Sequence, residues 1–177
     1  MAKKLVVSFP GGRGDEIPLL YFTAKHFEDL GYEKLFIHYP TAEECCFEIF
    51  VEKLIENAES KLKEIHFTEY EEVVFIAKSV GTVVACKLKE KHTISASLIL
   101  FTPLNETLPY INNTNNVHFV AGGERDRFLD SKLLSDLCEK ESVKYYIEPN
   151  VGHRMEVLND LNRNLQIVFN VVGRIEN

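Results

Sequence analysis

The sequence has no run of apolar residues as long as a membrane-spanning helix. The N-terminal apolar run, residues 5–9, is also too short for the core of a signal peptide. The cysteines, at positions 45, 46, 86 and 138, do not have the paired spacing of metal ligands. We therefore expect a cytoplasmic protein with free thiols, no metal site and no membrane partner.

Positive charge is scarce as well. Lys and Arg number 20 against 27 Asp and Glu, which gives a net charge of -7, whereas nucleic-acid-binding domains usually present a basic face. The glycine turn at residues 10–15 lacks the third glycine of a dinucleotide fingerprint, and no Gly-Lys-Ser or Gly-Lys-Thr of a P-loop occurs. These absences argue against a nucleic-acid partner and against a nucleotide cofactor.

Short β-branched or aromatic runs alternate with longer amphipathic patterns along the chain. This alternation predicts an α/β fold, a three-layer doubly wound arrangement in which helices flank a mainly parallel six-stranded sheet. A length of 177 residues with 45% hydrophobic residues fits a single domain, 1–177. We predict strands at 4–9, 34–39, 72–77, 97–101, 117–121 and 143–148, and helices at 17–30, 42–66, after position 79, at 131–140 and at 154–172.

Chemistry is expected where the strands end, because ligands of such sheets bind beyond the carboxyl ends of the strands. After the third predicted strand comes Ala77-Lys78-Ser79-Val80-Gly81, which approximates the Gly-x-Ser-x-Gly nucleophile elbow with alanine for the first glycine. The glycine turn, the segment 122–126 and His153 follow three other strands. These four segments should therefore converge on one edge of the sheet.

Together these motifs resemble the α/β-hydrolase superfamily. The elbow serine Ser79, Asp126 after two glycines, and His153 after Gly152 occur in the family's chain order of serine, acid and histidine. The resemblance implies that Asp126 orients His153 and that His153 activates Ser79. It also implies a minimal fold without a cap domain, because the segment between Ser79 and Asp126 is short.

The turn at residues 10–15 resembles the family's His-Gly-x-x-Gly-Ser oxyanion turn. By this match the backbone N–H groups of Gly12 and Val80 would form the oxyanion hole. Arg13, in the same turn, could bind a substrate carboxylate. The polar loop 102–116 would then cover the site in place of a cap, leaving a shallow and open pocket.

The resemblance implies a serine hydrolase that cleaves a small carboxylic ester or thioester through an acyl-enzyme on Ser79, without a metal or an organic cofactor. Its substrate would be a small-molecule or carrier-borne acyl group. An acyltransferase that uses the same triad, and a binding module of the same fold without catalysis, are the alternatives. The sequence does not indicate an oligomeric state.

Each site residue also has an alternative interpretation. Ser79 could simply cap the helix that follows it, since serine is a preferred N-cap residue. Glu124 competes with Asp126 because both follow the glycine pair, and we favour Asp126 on the family pattern. His38 is the one other histidine expected at this edge, and the chain order favours His153.

Overall fold

A single sheet of six strands, all parallel, organises the structure. The computed structural model describes residues 3–14, 17–39 and 46–175. The strands are β1 Lys4–Phe9, β2 Glu33–Phe36, β3 Glu72–Lys78, β4 Ser97–Phe101, β5 Val117–Gly123 and β6 Tyr145–Glu148. Their order in the sheet is β2-β1-β3-β4-β5-β6, so the chain reverses its direction of progress across the sheet between β1 and β3.

Helices cover both faces of this sheet and bury it. Successive residues of β3 alternate between two cores: Val73 and Phe75 face one, and Val74 and Ile76 face the other. A strand that is buried on both faces reads as a continuous apolar run, which is how 72–77 was predicted. Helices α2 Phe47–Leu62, α3 Val80–Lys91 and α4 Ser131–Lys140 cover one face, and α1 Pro18–Asp29 and α5 Leu161–Val172 cover the other.

The three layers and the doubly wound sheet confirm the predicted fold class. The central strand β5 extends two residues beyond its predicted end at 121, whereas the predictions for β2 and β6 are each two residues too long. We predicted 34–39 and 143–148, whereas the strands are Glu33–Phe36 and Tyr145–Glu148. Both are edge strands that pair on one side only. An edge strand has half the ladder hydrogen bonds of a central one, so apolar composition alone overestimates its length.

The start of α5 was wrong by seven residues. We predicted a helix from Arg154, but α5 begins at Leu161. Met155 and Asn159 both have φ of 59°, in the left-handed region that interrupts a right-handed helix. The Asn164 side chain bonds both the N–H and the C=O of Val157, which holds this segment as a compact loop.

One apolar stripe of α5 faces largely outward. Leu161, Leu165 and Phe169 are 71%, 55% and 74% exposed, whereas Ile167 and Val171 are the helix residues buried against the sheet. Helical periodicity identifies two apolar stripes here without saying which one meets the core.

The second helix ends earlier than predicted, whereas the polar loop 102–116 has its predicted extent. α2 runs from Phe47 to Leu62, and residues 42–45 of the predicted helix 42–66 lie outside the described residues. The loop contains two 3-10 helices, Asn105–Tyr110 and Asn113–Asn115. None of the helices in the described ranges combines the length and apolar character that crossing a lipid bilayer requires.

Candidate active site

Ser79 occupies a strained turn between β3 and α3. Its φ of 55° and ψ of -128° lie in a region that costs a non-glycine residue about 1–3 kcal/mol. Although Ser79 is the N-cap residue of α3, its side chain makes no capping hydrogen bond. The helix-capping interpretation is therefore wrong, and the hydroxyl is directed away from the helix.

Gly81 permits α3 to begin against the end of β1. A Cβ at this position would lie well inside van der Waals contact with the carbonyl oxygens of Phe9 and Pro10. These are main-chain atoms of the neighbouring strand, so they cannot rotate away. The second small residue of the elbow motif is thus required by a close backbone approach, which ties the glycine turn to Ser79.

The structure brings Ser79, His153 and Asp126 together in one hydrogen-bonded row. His153 Nε2 lies 2.7 Å from Ser79 Oγ, and His153 Nδ1 lies 2.8 Å from Asp126 Oδ2. A carboxylate can only accept, so Nδ1 carries the proton and Nε2 accepts from the Ser79 hydroxyl. The Asp126 side chain is 4% exposed and that of His153 14%, which removes water from their contact.

The two competing side chains make other contacts. Glu124 is exposed, and its Oε2 accepts from the backbone N–H of Asn150 at 2.8 Å. The ring of His38 is exposed beyond β2 and packs on Phe36, with 4.8 Å between ring centroids. Asp126 is fixed in addition by the Phe128 N–H, which donates to its Oδ1 at 2.8 Å.

The glycine turn lies directly beside the elbow. An ideal Cβ on Gly11 would be 3.5 Å from the Ser79 Cβ, and one on Gly12 would be 3.8 Å from Val80 Cγ1. Val80 is the first residue of α3, a position whose N–H has no intrahelical acceptor. Gly12 and Val80 therefore adjoin each other beside the serine.

Comparison with solved structures identifies the fold. A serine hydrolase homologue from Coxiella burnetii matches with a TM-score of 0.70 and 12% identity, over 98% of this chain and 85% of that one. A Xanthomonas campestris protein assigned to the alpha/beta hydrolase superfamily matches with a TM-score of 0.62 and 13% identity, over 98% of both chains. A predicted CIB-like hydrolase from Thermoplasma acidophilum matches with a TM-score of 0.67 and 14% identity, over 99% of this chain and 86% of that one. This chain has the α/β-hydrolase fold. No family model and no curated protein matches the sequence.

Within this α/β-hydrolase fold, Ser79 follows β3 and the glycine turn follows β1. These are the two strands between which the chain reverses its progress across the sheet. Open α/β sheets bind ligands at such a switch point, outside the carboxyl ends of the strands. The fold therefore places the serine at the position where a ligand is expected.

Two clefts meet at Ser79. The first, of about 610 Å³, also contains His153, and we call it the arginine cleft because Arg13, Arg125, Arg127 and Arg154 line it. The second, of about 350 Å³, is the apolar cleft, lined mainly by Phe47, Phe50, Val80 and Leu104. Gly12, Ser79 and Phe128 border both clefts.

The loop 102–116 closes only the apolar cleft, through Leu104, Asn105 and Glu106. Arg13 is exposed and lines the arginine cleft, and its binding of a substrate carboxylate stays a prediction. Within residues 3–14, 17–39 and 46–175, no group of three or more His, Cys, Asp or Glu is placed to hold a metal ion. Cys46, Cys86 and Cys138 are free thiols, and Cys45 lies outside the described residues.

Sequence reasoning missed a buried lysine beside the serine. The Lys78 Nζ donates to Thr102 Oγ1 at 3.0 Å and to the backbone carbonyl of His153 at 2.8 Å, and the residue is only 6% exposed. It thereby ties the loop that carries His153 to the ends of β3 and β4. Burial lowers the pKa of Lys78 to about 8, against an opposing effect of the Asp126 charge.

This lysine should make stability depend on pH. The folded pKa near 8 lies below the value of 10.5 for a free lysine, so between these pH values the unfolded chain binds more protons. Below pH 8 the buried lysine is charged, and its burial lowers the unfolding free energy by the whole cost of burying the charge. The cost disappears as the pH rises from 8 to 10.5. Relative to Lys78→Met, the unfolding free energy of the wild type should rise by about 3 kcal/mol across that window.

Denaturant unfolding of both proteins at pH 7 to 10.5 measures this difference. Lys144→Met, at an exposed position, controls for the removal of a lysine as such. The prediction would be contradicted if the unfolding free energy of the wild type minus that of Lys78→Met stayed constant or fell between pH 8 and 10.5.

Sequence reasoning singled out Arg13 but missed Arg125, Arg127 and Arg154, for which the sequence carries a signal that was not used. Arg13 adjoins Gly12, Arg125 and Arg127 flank Asp126, and Arg154 follows His153. Four of the six arginines in the chain thus adjoin a predicted site residue, whereas lysines are spread along the sequence.

Proposed function

We propose that the protein is a serine hydrolase that cleaves a small carboxylic ester or thioester through an acyl-enzyme on Ser79. The observation that carries this proposal is the hydrogen-bonded row of Ser79, His153 and Asp126, with the serine in a strained turn and its hydroxyl not used as a helix cap. Serine is a weak nucleophile at neutral pH and needs a base within hydrogen-bond reach, and the 2.7 Å contact supplies one.

In the first half of the reaction, Ser79 Oγ attacks the carbonyl carbon of the substrate and its proton passes to His153 Nε2. Asp126 holds the Nδ1–H and stabilises the imidazolium that forms. When the tetrahedral intermediate collapses, the bond to the leaving alcohol or thiol breaks and His153 gives it the proton. The product of this half is an ester between the acyl group and Ser79.

The negative charge of the tetrahedral intermediate would be bound by the N–H groups of Gly12 and Val80. Loss of one such donor typically costs about 3 kcal/mol of transition-state stabilisation. The N-terminus of α3, which begins at Val80, adds the positive end of its helix dipole at the same place.

Water completes the reaction in the second half. His153 removes a proton from the water as it attacks the acyl-enzyme, and then returns that proton to Ser79 Oγ as the acid leaves. The arginine cleft is open to solvent around His153, and Arg125, Arg127 and Arg154 at its rim are all exposed. Access of water to the acyl-enzyme favours hydrolysis.

A fluorophosphonate probe with intact-mass detection tests the proposal. The wild type should gain one probe adduct per chain, and Ser79→Ala should gain none. Ser135→Ala, which changes a serine of α4, controls for the loss of a hydroxyl and should label like the wild type. If well-folded wild type did not label, the alternative of a binding module without catalysis would hold instead.

A further inference from the structure

The arginine cleft is a concentration of positive charge on an acidic protein. Four of six arginines line it, whereas only one of the fourteen lysines, Lys78, does so. The chain as a whole carries a net charge of -7, so its overall field disfavours anions. Arginine is the side chain best suited to bind carboxylate or phosphate, because its planar guanidinium can donate two parallel hydrogen bonds.

Three of these arginines have no carboxylate partner among the described residues. Arg13 makes no ion pair there, Arg125 donates to the neutral Asn150 Oδ1 at 2.7 Å, and Arg127 lies over the Phe128 ring, 4.7 Å from its centroid. Only Arg154 is paired, with Glu156 at 3.2 Å. The cleft therefore keeps positive charge that no described carboxylate neutralises.

The arginines outside the clefts have structural contacts instead. Arg163 pairs with the fully buried Glu148 at 2.6 Å. Arg174 donates to the Asn170 carbonyl and lies 4.0 Å from the centre of the Tyr146 ring. Arg125 and Arg127 have contacts of the same kind, with Asn150 and with the Phe128 ring, but they differ from Arg163 because no described carboxylate neutralises their charge.

The position of His153 decides which part of a substrate would meet this charge. His153 lines the arginine cleft and not the apolar one. In the proposed reaction it protonates the leaving alcohol or thiol, so the leaving group must lie on its side of Ser79. The apolar cleft adjoins Gly12 and Val80, which would bind the acyl oxygen, and within the described ranges its one charged lining residue is Glu106. A carboxylate there disfavours a negatively charged acyl chain.

From this arrangement, and resting on the proposed function, we infer that the substrate is an ester or thioester of a short apolar acid whose leaving group carries an anion. The anion, a carboxylate or a phosphate, binds Arg13, Arg125 and Arg127, while the acyl chain occupies the apolar cleft. The cleft volumes of about 610 and 350 Å³ suit a small ligand divided in this way.

Matched thioesters test the inference through kcat/KM at low ionic strength. S-butyryl-3-mercaptopropionate and its methyl ester differ by a carboxylate on the leaving thiol, and S-butyryl phosphopantetheine and S-butyryl pantetheine differ by a phosphate. At least one anionic member should be preferred by about tenfold or more, and the larger ratio identifies the anion. The preference should decrease in 0.5 M NaCl because salt screens exposed charges. With S-adipoyl pantetheine and its methyl ester, the charged acyl chain should give no preference.

Variants assign the effect to the cleft. The triple variant Arg13→Gln, Arg125→Gln, Arg127→Gln should reduce the anionic-to-neutral ratio to within about threefold of one. Arg174→Gln, outside both clefts, should keep the wild-type ratio. Equal rates for both members of both leaving-group pairs, a preference for the anionic acyl chain, or an unchanged ratio in the triple variant would overturn the inference.

Fluorophosphonate labelling of the same preparations separates the two levels of the proposal. If the protein labels at Ser79 but shows no preference for an anionic leaving group, the proposed function stands and the inference about the leaving group is wrong. If the protein does not label, both the proposed function and the inference are wrong.

Discussion

His153→Ala should lower kcat for a small ester such as p-nitrophenyl butyrate by about 10⁴- to 10⁶-fold. The imidazole is the base in contact with Ser79, and a serine hydroxyl without a base is almost entirely protonated at neutral pH. The substitution keeps the main-chain carbonyl that accepts from Lys78, so the loop retains its tether. The large effect should therefore come from lost chemistry, not from unfolding.

Steady-state kinetics and thermal unfolding of the same sample measure this outcome. The matched control is His38→Ala, the other histidine that the sequence placed near this edge, whose ring packs on Phe36. It should retain kcat to within about threefold. A His153→Ala protein with kcat within tenfold of the wild type would exclude His153 as the general base.

Gly81→Ala should lower the unfolding free energy by about 3 kcal/mol or more, a large part of the 5–15 kcal/mol typical of a domain. The added methyl group would overlap the carbonyl oxygens of Phe9 and Pro10. Relief requires α3 to move away from β1, which would also carry Val80 away from Gly12. We therefore expect this variant to lose catalytic rate even under conditions in which it remains folded.

Gly31→Ala provides the comparison, because the two glycines are needed for different reasons. Gly31 has φ of +89° but no atom within 4 Å of an added Cβ, so its substitution costs only the backbone strain, about 1–2 kcal/mol. Urea unfolding measures the unfolding free energy of both variants, and so compares the steric overlap at Gly81 with the backbone strain at Gly31. Equal destabilisation by the two substitutions would contradict the close approach at Gly81.

The central strands and the chemistry-bearing segments could be predicted because their signals are local. β1 and β4 were predicted to the residue, since a strand buried on both faces must be a continuous apolar run. The positions of Ser79, Asp126 and His153 relative to the strands, together with their family order, indicated that they would meet. Their hydrogen-bonded arrangement agrees with this expectation, while their catalytic roles stay predictions.

Other features depended on contacts between distant segments. Asp126 and Glu124 are only two residues apart, so the sequence alone does not decide which of them is the partner of His153. The path of the loop decides it, because it brings the Asp126 carboxylate to His153. On α5, the stripe of Leu161, Leu165 and Phe169 faces outward while Ile167 and Val171 are buried, and an apolar pattern alone does not say which side the sheet occupies.

By itself, therefore, the sequence determined the α/β layering and the strand ends at which polar chemistry collects, because hydrophobic periodicity is imposed residue by residue. Only the tertiary structure decided that Lys78 is buried against the His153 carbonyl and that four arginines face one cleft. The reason is that burial, charge neutralisation and the division of a site into two clefts are properties of side chains that meet in space from separate strands and loops.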